Sequence, residues 1–176
     1  MKKIVFILAF ALIGLTYNAQ AQYEKGQIDA NLGVGFGGSF ATGSISLPPV
    51  SFSLDFGINE NISLGGYVGY SASNEDFAGF GANYSWKYTY IIVGVRGAYH
   101  IDLVDKMDTY GGLMLGYNVA TVKYEGPGAA PVSPSVGGIA YSAFVGARYH
   151  FGDSFGVFGE LGYGIALLNV GVTMKF

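Results

Sequence analysis

Residues 139–151 read Ile-Ala-Tyr-Ser-Ala-Phe-Val-Gly-Ala-Arg-Tyr-His-Phe, and their character alternates with a period of two. The odd positions are apolar or aromatic, whereas several even positions, such as Arg148, are polar. Successive side chains of a β-strand point to opposite faces, so the pattern predicts a strand with one apolar and one polar face. The alternation resumes at Phe155 after the turn residues 152–154 and returns over 169–176. A soluble sandwich would turn the apolar faces inward, and a membrane barrel would turn them outward.

The start of the chain indicates its compartment. Lys2 and Lys3 precede an uninterrupted apolar run over residues 4–15, and small residues at 19–21 follow at the spacing of a cleavage site. The apolar run is shorter than the ~20 residues that a membrane-spanning helix needs. We therefore predict a secretory signal peptide over residues 1–21.

The remaining chain, residues 22–176, is predicted to form one barrel domain. Without the two leader lysines its net charge is about −5, which gives no basic footprint for nucleic acid. It has no cysteine, so no disulfide holds it. The chain has 29 glycines, 14 tyrosines and 13 phenylalanines, and its mean hydropathy is +0.37. Exported, glycine-rich, aromatic and alternating sequences are typical of outer-membrane β-barrels, which satisfy every backbone group inside lipid by closing the sheet.

Eight alternating segments predict an all-β, eight-stranded, antiparallel, up-and-down transmembrane β-barrel. Long and short connections alternate between the strands, and barrels of this class place short turns in the periplasm and long loops outside. Both termini are then periplasmic, and a fourth outer connection near 165–167 is unusually short. The long loops are predicted at 39–48, 71–86 and 123–137, and the short turns at 59–61, 102–106 and 152–154.

Strand parity also sorts the outward-facing aromatic residues into two groups. Aromatic side chains prefer the two membrane interfaces, so each group is expected to form a belt. The outer belt is predicted at Tyr70, Tyr117, Tyr141 and Tyr163, and the periplasmic belt at Tyr99, Tyr149, Phe151 and Phe155.

The same parity places charged residues inside the barrel. An eight-stranded barrel is narrow enough for side chains to fill it, and buried guanidinium groups need acceptors. We expect Arg148 to pair with Glu160 on the neighbouring strand, and Arg96 to pair with Asp55 or Asp29. The preferred interpretation of this lumen polar network is a structural plug, and the alternative is a switching gate.

An enzymatic site receives little support from the sequence. Outer-membrane hydrolases need a histidine beside a serine and a carboxylate at the height of the outer leaflet. The two histidines, His100 and His150, fall at the periplasmic ends of their strands, and the nearby Ser154 belongs to a turn. No cluster has metal-ligand spacing, and no cofactor is expected.

Several segments carry a family resemblance, namely Val93–His100, Val145–Phe151, Phe158–Gly164 and Asn169–Phe176. Over residues 22–176 the chain resembles small outer-membrane barrels related to the OmpA transmembrane domain and OmpX, especially the stand-alone barrels of Bacteroidetes-type bacteria. The resemblance implies a terminal signal for the barrel assembly machinery, carried by Val170, Val172, Met174 and Phe176.

The functional hypothesis is a non-enzymatic, monomeric structural or surface protein in the outer membrane of a Gram-negative bacterium. Its expected partners are outer-membrane lipid, the assembly machinery and a surface ligand or host contact made by the long loops, with the Pro-rich loop 123–137 foremost. Two alternatives stay open. One is a narrow pore or small-molecule channel, and the other, less favoured, is a lipid-modifying enzyme.

Overall fold

A computed structural model describes residues 23–37, 44–79, 82–104, 107–126, 135–164 and 166–176. The predicted signal peptide lies outside these residues. Among the described residues, no helix is long and apolar enough to cross a membrane.

Eight antiparallel strands close into a barrel in which each strand pairs with its sequence neighbours and the first pairs with the last. This confirms the predicted fold. The closing seam runs from Asp29↔Lys175 to Phe36↔Leu168. The strands are β1 Ile28–Phe36, β2 Ser44–Gly57, β3 Ile62–Gly79, β4 Ala82–Val104, β5 Met107–Glu125, β6 Ser135–His150, β7 Phe155–Tyr163 and β8 Leu168–Lys175.

The apolar faces of the strands point away from the centre of the molecule. Val93, Leu115 and Val145 are 58%, 60% and 61% exposed, although they lie in the middle of their strands. Arg96 and Arg148, each three residues along its strand from Val93 and Val145, are 3% and 0% exposed. A soluble domain hides its aliphatic side chains, so this inside-out arrangement fits a barrel surrounded by hydrocarbon.

Inside the barrel, the lumen holds a small apolar cluster above a charged layer. Glycines on the inward face make room for the apolar cluster. A Cβ at Gly112, for example, would lie 2.9 Å or less from ring atoms of Phe144. The cluster consists of Ile92, Ala98, Tyr110, Met114, Ala140 and Phe144, with Tyr67 packed against it.

The prediction of a long loop over residues 71–86 is wrong, because β3 and β4 remain paired in register from Ser71↔Tyr90 to Gly79↔Ala82. The charged residues of this stretch, such as Glu75, suggested a loop, but they lie within a continuing strand alternation.

The other predicted connections are shorter than expected as well. β5 continues to Glu125 and β6 begins at Ser135, so that only the middle of the 123–137 loop separates them, and most of that middle lies outside the described residues. β2 begins at Ser44, and its register with β3 shifts on both sides of Leu47, next to two prolines that lack the backbone donor a ladder needs. The turn predicted at 102–106 is shorter in the structure, because β4 ends at Val104 and β5 begins at Met107.

Candidate functional site

Two features of the barrel could carry function: a charged network in the lumen and a tall wall of three strands. The network lies toward the end of the barrel where Ile28 and Phe176 exchange backbone hydrogen bonds. It brings together side chains from six strands, because inward positions of all these strands converge in a narrow barrel. Its charged members are Asp29, Asp55, Arg96, His100, Asp108, Arg148 and Glu160.

Arg148 is the hub of this network. Its Nη1 lies 3.3 Å from Asp29 Oδ2 and 3.1 Å from Asp108 Oδ2, its Nη2 donates to Asp55 Oδ2, and its Nε donates to Asn31 Oδ1 at 3.2 Å. The guanidinium also stands over the Tyr110 ring, 4.3 Å from its centroid. Charge-assisted bonds of this number offset the desolvation of a fully buried cation.

Arg96 is the centre of a second group of polar contacts in the lumen. Its Nη2 lies 2.6 Å from Glu160 Oε1, and its Nε lies 3.3 Å from Asp55 Oδ1. The Tyr110 hydroxyl donates to the same Glu160 oxygen at 2.9 Å. Arg96 also contacts the Phe144 ring at 4.1 Å. Asp55 therefore bridges the two arginines.

His100 connects this network to the barrel end. Its Nε2 lies 2.8 Å from Ser63 Oγ, and its Nδ1 lies 2.8 Å from Asp108 Oδ1. The order serine, histidine and aspartate matches that of hydrolytic triads, in which histidine takes the serine proton. Here the Tyr23 ring stacks on His100 at 3.7 Å with an interplanar angle of 15°, and Ser63 is 1% exposed. In the part of the chain that the structure describes, Tyr23 therefore covers His100, and Ser63 is closed to solvent.

The segment 23–27, which we call the N-terminal cap, closes this end of the lumen. Tyr23 is 1% exposed, and burial raises the pKa of its phenol. Gly26 adopts a φ of +88°, in the region that favours glycine, and its N–H donates to Gly57 O at 2.8 Å. Gly57 allows the close crossing, since a Cβ there would lie 3.1 Å from Tyr23 Cε1.

Beyond the charged layer the lumen contains a cavity of about 40 Å³. Arg96 and Glu160 line it together with Ser51, Tyr67 and Asn169. This volume holds about three waters, since one needs roughly 10–15 Å³. Met114 and Phe144 also line it, so the lumen is a packed interior with one small pocket of mixed character among the described residues.

The structure brings together all four side chains of the predicted polar network, but with different partners. Glu160 contacts Arg96 rather than Arg148, and Asp29 contacts Arg148 rather than Arg96, so both of those predicted pairs are wrong. The Arg96–Asp55 pair is present. The sequence reasoning missed Asp108, which lies directly opposite Arg148 on β5 and could have been found from its even parity.

The remaining predicted residues lie on the outer surface. All eight belt aromatics are exposed, from 37% for Tyr70 to 63% for Tyr141. The residues of the predicted assembly signal, Val170, Val172, Met174 and Phe176, are exposed on one face of the last strand. Among the described residues, no group of three His, Cys, Asp or Glu side chains is arranged to hold a metal ion.

The second feature is the wall formed by β3, β4 and β5, which have 18, 23 and 19 residues, whereas β1, β7 and β8 have 9, 9 and 8. Tilted strands cross a bilayer with about 9–11 residues, so the three long strands continue well beyond the barrel. We call residues 71–79, 82–90 and 120–125 the extension. It lies at the end of the barrel opposite the N-terminal cap.

Comparison with known proteins agrees with this architecture. The model of the outer membrane protein beta-barrel domain family matches residues 7–175 of the chain. No curated protein matches the chain significantly in sequence.

Solved structures share the fold at low sequence identity. The N-terminal β-barrel domain of Pseudomonas aeruginosa OprF has a TM-score of 0.54 and 10% identity, over 86% of this chain and 98% of that one. The attachment invasion locus protein Ail of Yersinia pestis, in complex with the heparin analogue sucrose octasulfate, has a TM-score of 0.54 and 13% identity, over 86% and 99%. Neisserial surface protein A has a TM-score of 0.52 and 12% identity, over 85% and 93%.

Proposed function

The chain belongs to the outer membrane protein beta-barrel domain family, which places it in the outer membrane of a Gram-negative bacterium, and we propose that it is a non-enzymatic surface protein. In this proposal the extension is its contact surface. The observation that carries the proposal is the height of β3, β4 and β5. Strands that only anchor a barrel need no such length.

The shape of the two barrel ends supports the orientation that this proposal needs. The turn at residues 58–61 and the cap lie at one end, and the extension lies at the other. Because barrels of this class have short periplasmic turns and longer outer connections, the cap and both termini are assigned to the periplasm. The extension is then exposed outside the cell.

The packing of the lumen supports a structural role for the interior. Arg148 and Tyr110 are 0% and 2% exposed, and their contacts fill the cross-section of the barrel. Tyr23 covers the serine–histidine–aspartate arrangement by stacking on His100. The second carboxylate oxygen of Asp108 forms an ion pair with Arg148. These contacts favour a stabilising role for His100 over a catalytic one.

The relatives named above make surface contact a reasonable role to test. Ail was crystallised with a heparin analogue, which is a polyanion. The inner face of the extension in this chain bears the carboxylate Glu75, so the present protein is not expected to share that ligand.

The test shortens the extension without touching the barrel. Residues 75–86 are replaced by an Asn-Gly turn, which joins Asn74 and Lys87, themselves partners across the hairpin. We expect the variant to keep heat-modifiable migration on SDS gels, which reports a closed barrel, and to lose binding of expressing cells to host or neighbouring cells.

The matched control replaces residues 127–134 of the Pro-rich connection with a Gly-Ser segment of the same length and leaves the extension intact. Sequence reasoning favoured that connection as the contact surface, so the pair of variants compares the two surfaces directly. Undiminished cell binding by both variants would overturn the proposed contact role. Altered lipid A in a deletion strain, detected by mass spectrometry, would instead support the enzyme alternative.

A further inference from the structure

The inner face of the extension, which continues the lumen face of the barrel, concentrates aromatic rings around one carboxylate. In the strand register Glu75 of β3 lies opposite Trp86 of β4, and Trp86 lies opposite Tyr124 of β5. Tyr88 follows two residues after Trp86 and therefore shares its face. These four side chains, which we call the aromatic face, are all partly buried.

Two contacts join these side chains in pairs, and the register sets Trp86 directly across from Glu75. The Tyr88 hydroxyl donates to Glu75 Oε2 at 3.1 Å. The rings of Trp86 and Tyr124 lie edge to face, with centroids 5.2 Å apart and planes at 62°. The face is thus a built arrangement in which tyrosine holds the carboxylate beside an indole.

The charge on this face is negative. The lysines of the extension, Lys87 and Lys123, have the opposite parity and point to the outer face, as does Asp76. Among the described side chains of the inner face, Glu75 is therefore the one formal charge. No cation of the extension neutralises it from the same side.

We propose that the aromatic face binds an arginine side chain presented by a partner protein. The inference rests on the contact role proposed above and names the chemistry of the partner. A guanidinium can stack on the π-face of Trp86 or Tyr124 while its N–H groups donate to the Glu75 carboxylate. Charge complementarity disfavours an anionic ligand such as a sulfated sugar.

Arginine fits this face better than lysine for a geometric reason. A planar guanidinium stacks flat on a ring and keeps its in-plane N–H donors for a carboxylate beside that ring. An ammonium is a compact, strongly hydrated charge that gives up more water to approach an indole. The face therefore selects by shape as well as by charge.

Trp86 is the single tryptophan of the chain, so its fluorescence reports on this face alone. The full-length protein refolded in detergent micelles is titrated with a blocked Gly-Arg-Gly tripeptide. The control ligand carries citrulline, which has nearly the same shape without the charge. We expect saturable quenching by the arginine peptide and none by the citrulline peptide.

The matched pair of variants is Glu75→Gln and Asp76→Asn, which remove the same charge from opposite faces of one strand. Glu75→Gln should lower the affinity for the arginine peptide by about tenfold or more, because a charge-assisted hydrogen bond is lost. Asp76→Asn should leave the affinity unchanged. Equal weakening by both variants, or equal binding of citrulline, would overturn the proposal.

The cell-binding assay separates this inference from the function on which it depends. If Glu75→Gln cells bind as well as unmodified cells while the shortened extension abolishes binding, the contact surface stands and the arginine site is wrong. If the shortened extension also binds normally, the proposed contact role itself fails.

Discussion

Arg148 is the side chain on which the lower lumen depends. It is the shared partner of Asp29, Asp55 and Asp108, and all four residues are at most 4% exposed. Removing one partner of a buried ion pair leaves an uncompensated charge, at a cost of about 3–5 kcal/mol. Arg148→Met keeps an unbranched apolar stem and removes the guanidinium group with its charge.

We expect Arg148→Met to lower the free energy of unfolding by that amount, measured by urea titration of the refolded barrel. The control is Lys123→Met, an exposed cation on the outer face, which should change stability by less than about 0.5 kcal/mol. Equal stability of Arg148→Met and the unmodified protein would show that the network is not holding the lumen together.

The residues of this network were predictable, but their pairing was not. Parity placed Arg148 and Glu160 inside, because each strand keeps a strict alternation. In the register Arg148 lies opposite Phe158, while Glu160 lies opposite Gly146. Arg148 instead contacts Asp108 on its other neighbour β5 and reaches across the lumen to Asp29 and Asp55. Which side chains meet there depends on the stagger of the closed barrel, which sequence alternation alone does not specify.

At the scale of elements, the close fit of the N-terminal cap depends on Gly57. A Cβ at Gly57 would lie 3.1 Å from Tyr23 Cε1 and 3.3 Å from Gly26 N, and closer still to Glu24 O. Gly66, on the outward side of β3, has nothing within 4 Å of the same position. The two glycines therefore form a matched pair, one crowded and one free.

We expect Gly57→Ala to displace the cap and to destabilise the barrel by about 1–3 kcal/mol, the usual cost of overpacking. His100 should then react several-fold faster with diethyl pyrocarbonate, followed by mass spectrometry, because Tyr23 no longer covers it. Gly66→Ala should behave like the unmodified protein. Unchanged His100 reactivity in Gly57→Ala would contradict a close-fitting cap.

The strand count was predictable because the period of two survives in all eight segments. The length of the extension was not predictable, because acidic residues such as Glu75 and Asp76 are less common in strands than in loops. Within the extension those charges occupy both faces, and neighbouring strands supply the backbone hydrogen bonds. Backbone pairing with a long neighbouring strand outweighs the local composition of a segment. The sequence pattern of that segment alone does not report this pairing.

At the scale of the whole molecule, the barrel is inverted relative to a soluble protein. Aliphatic side chains such as Leu113 and Ile139 are 68% and 77% exposed, while arginines and carboxylates fill the centre. Burying that charge is stabilising only if the lumen stays packed and its ions stay paired. The same packing that stabilises the barrel therefore blocks it.

This coupling predicts that the protein does not form an open pore. Tyr110 and Phe144 pack against the two guanidiniums, and Tyr23 closes the end of the barrel at which the N-terminal cap lies. In planar bilayers we expect no steady single-channel steps from the unmodified protein. Glu160→Gln should give none either, because it removes one charge but leaves the occluding rings in place, and Glu75→Gln outside the barrel serves as the control. If Glu160→Gln produced sustained steps while its gel band remained heat-modifiable, the Arg96–Glu160 pair would be a gate, and the narrow-pore alternative would replace the structural plug.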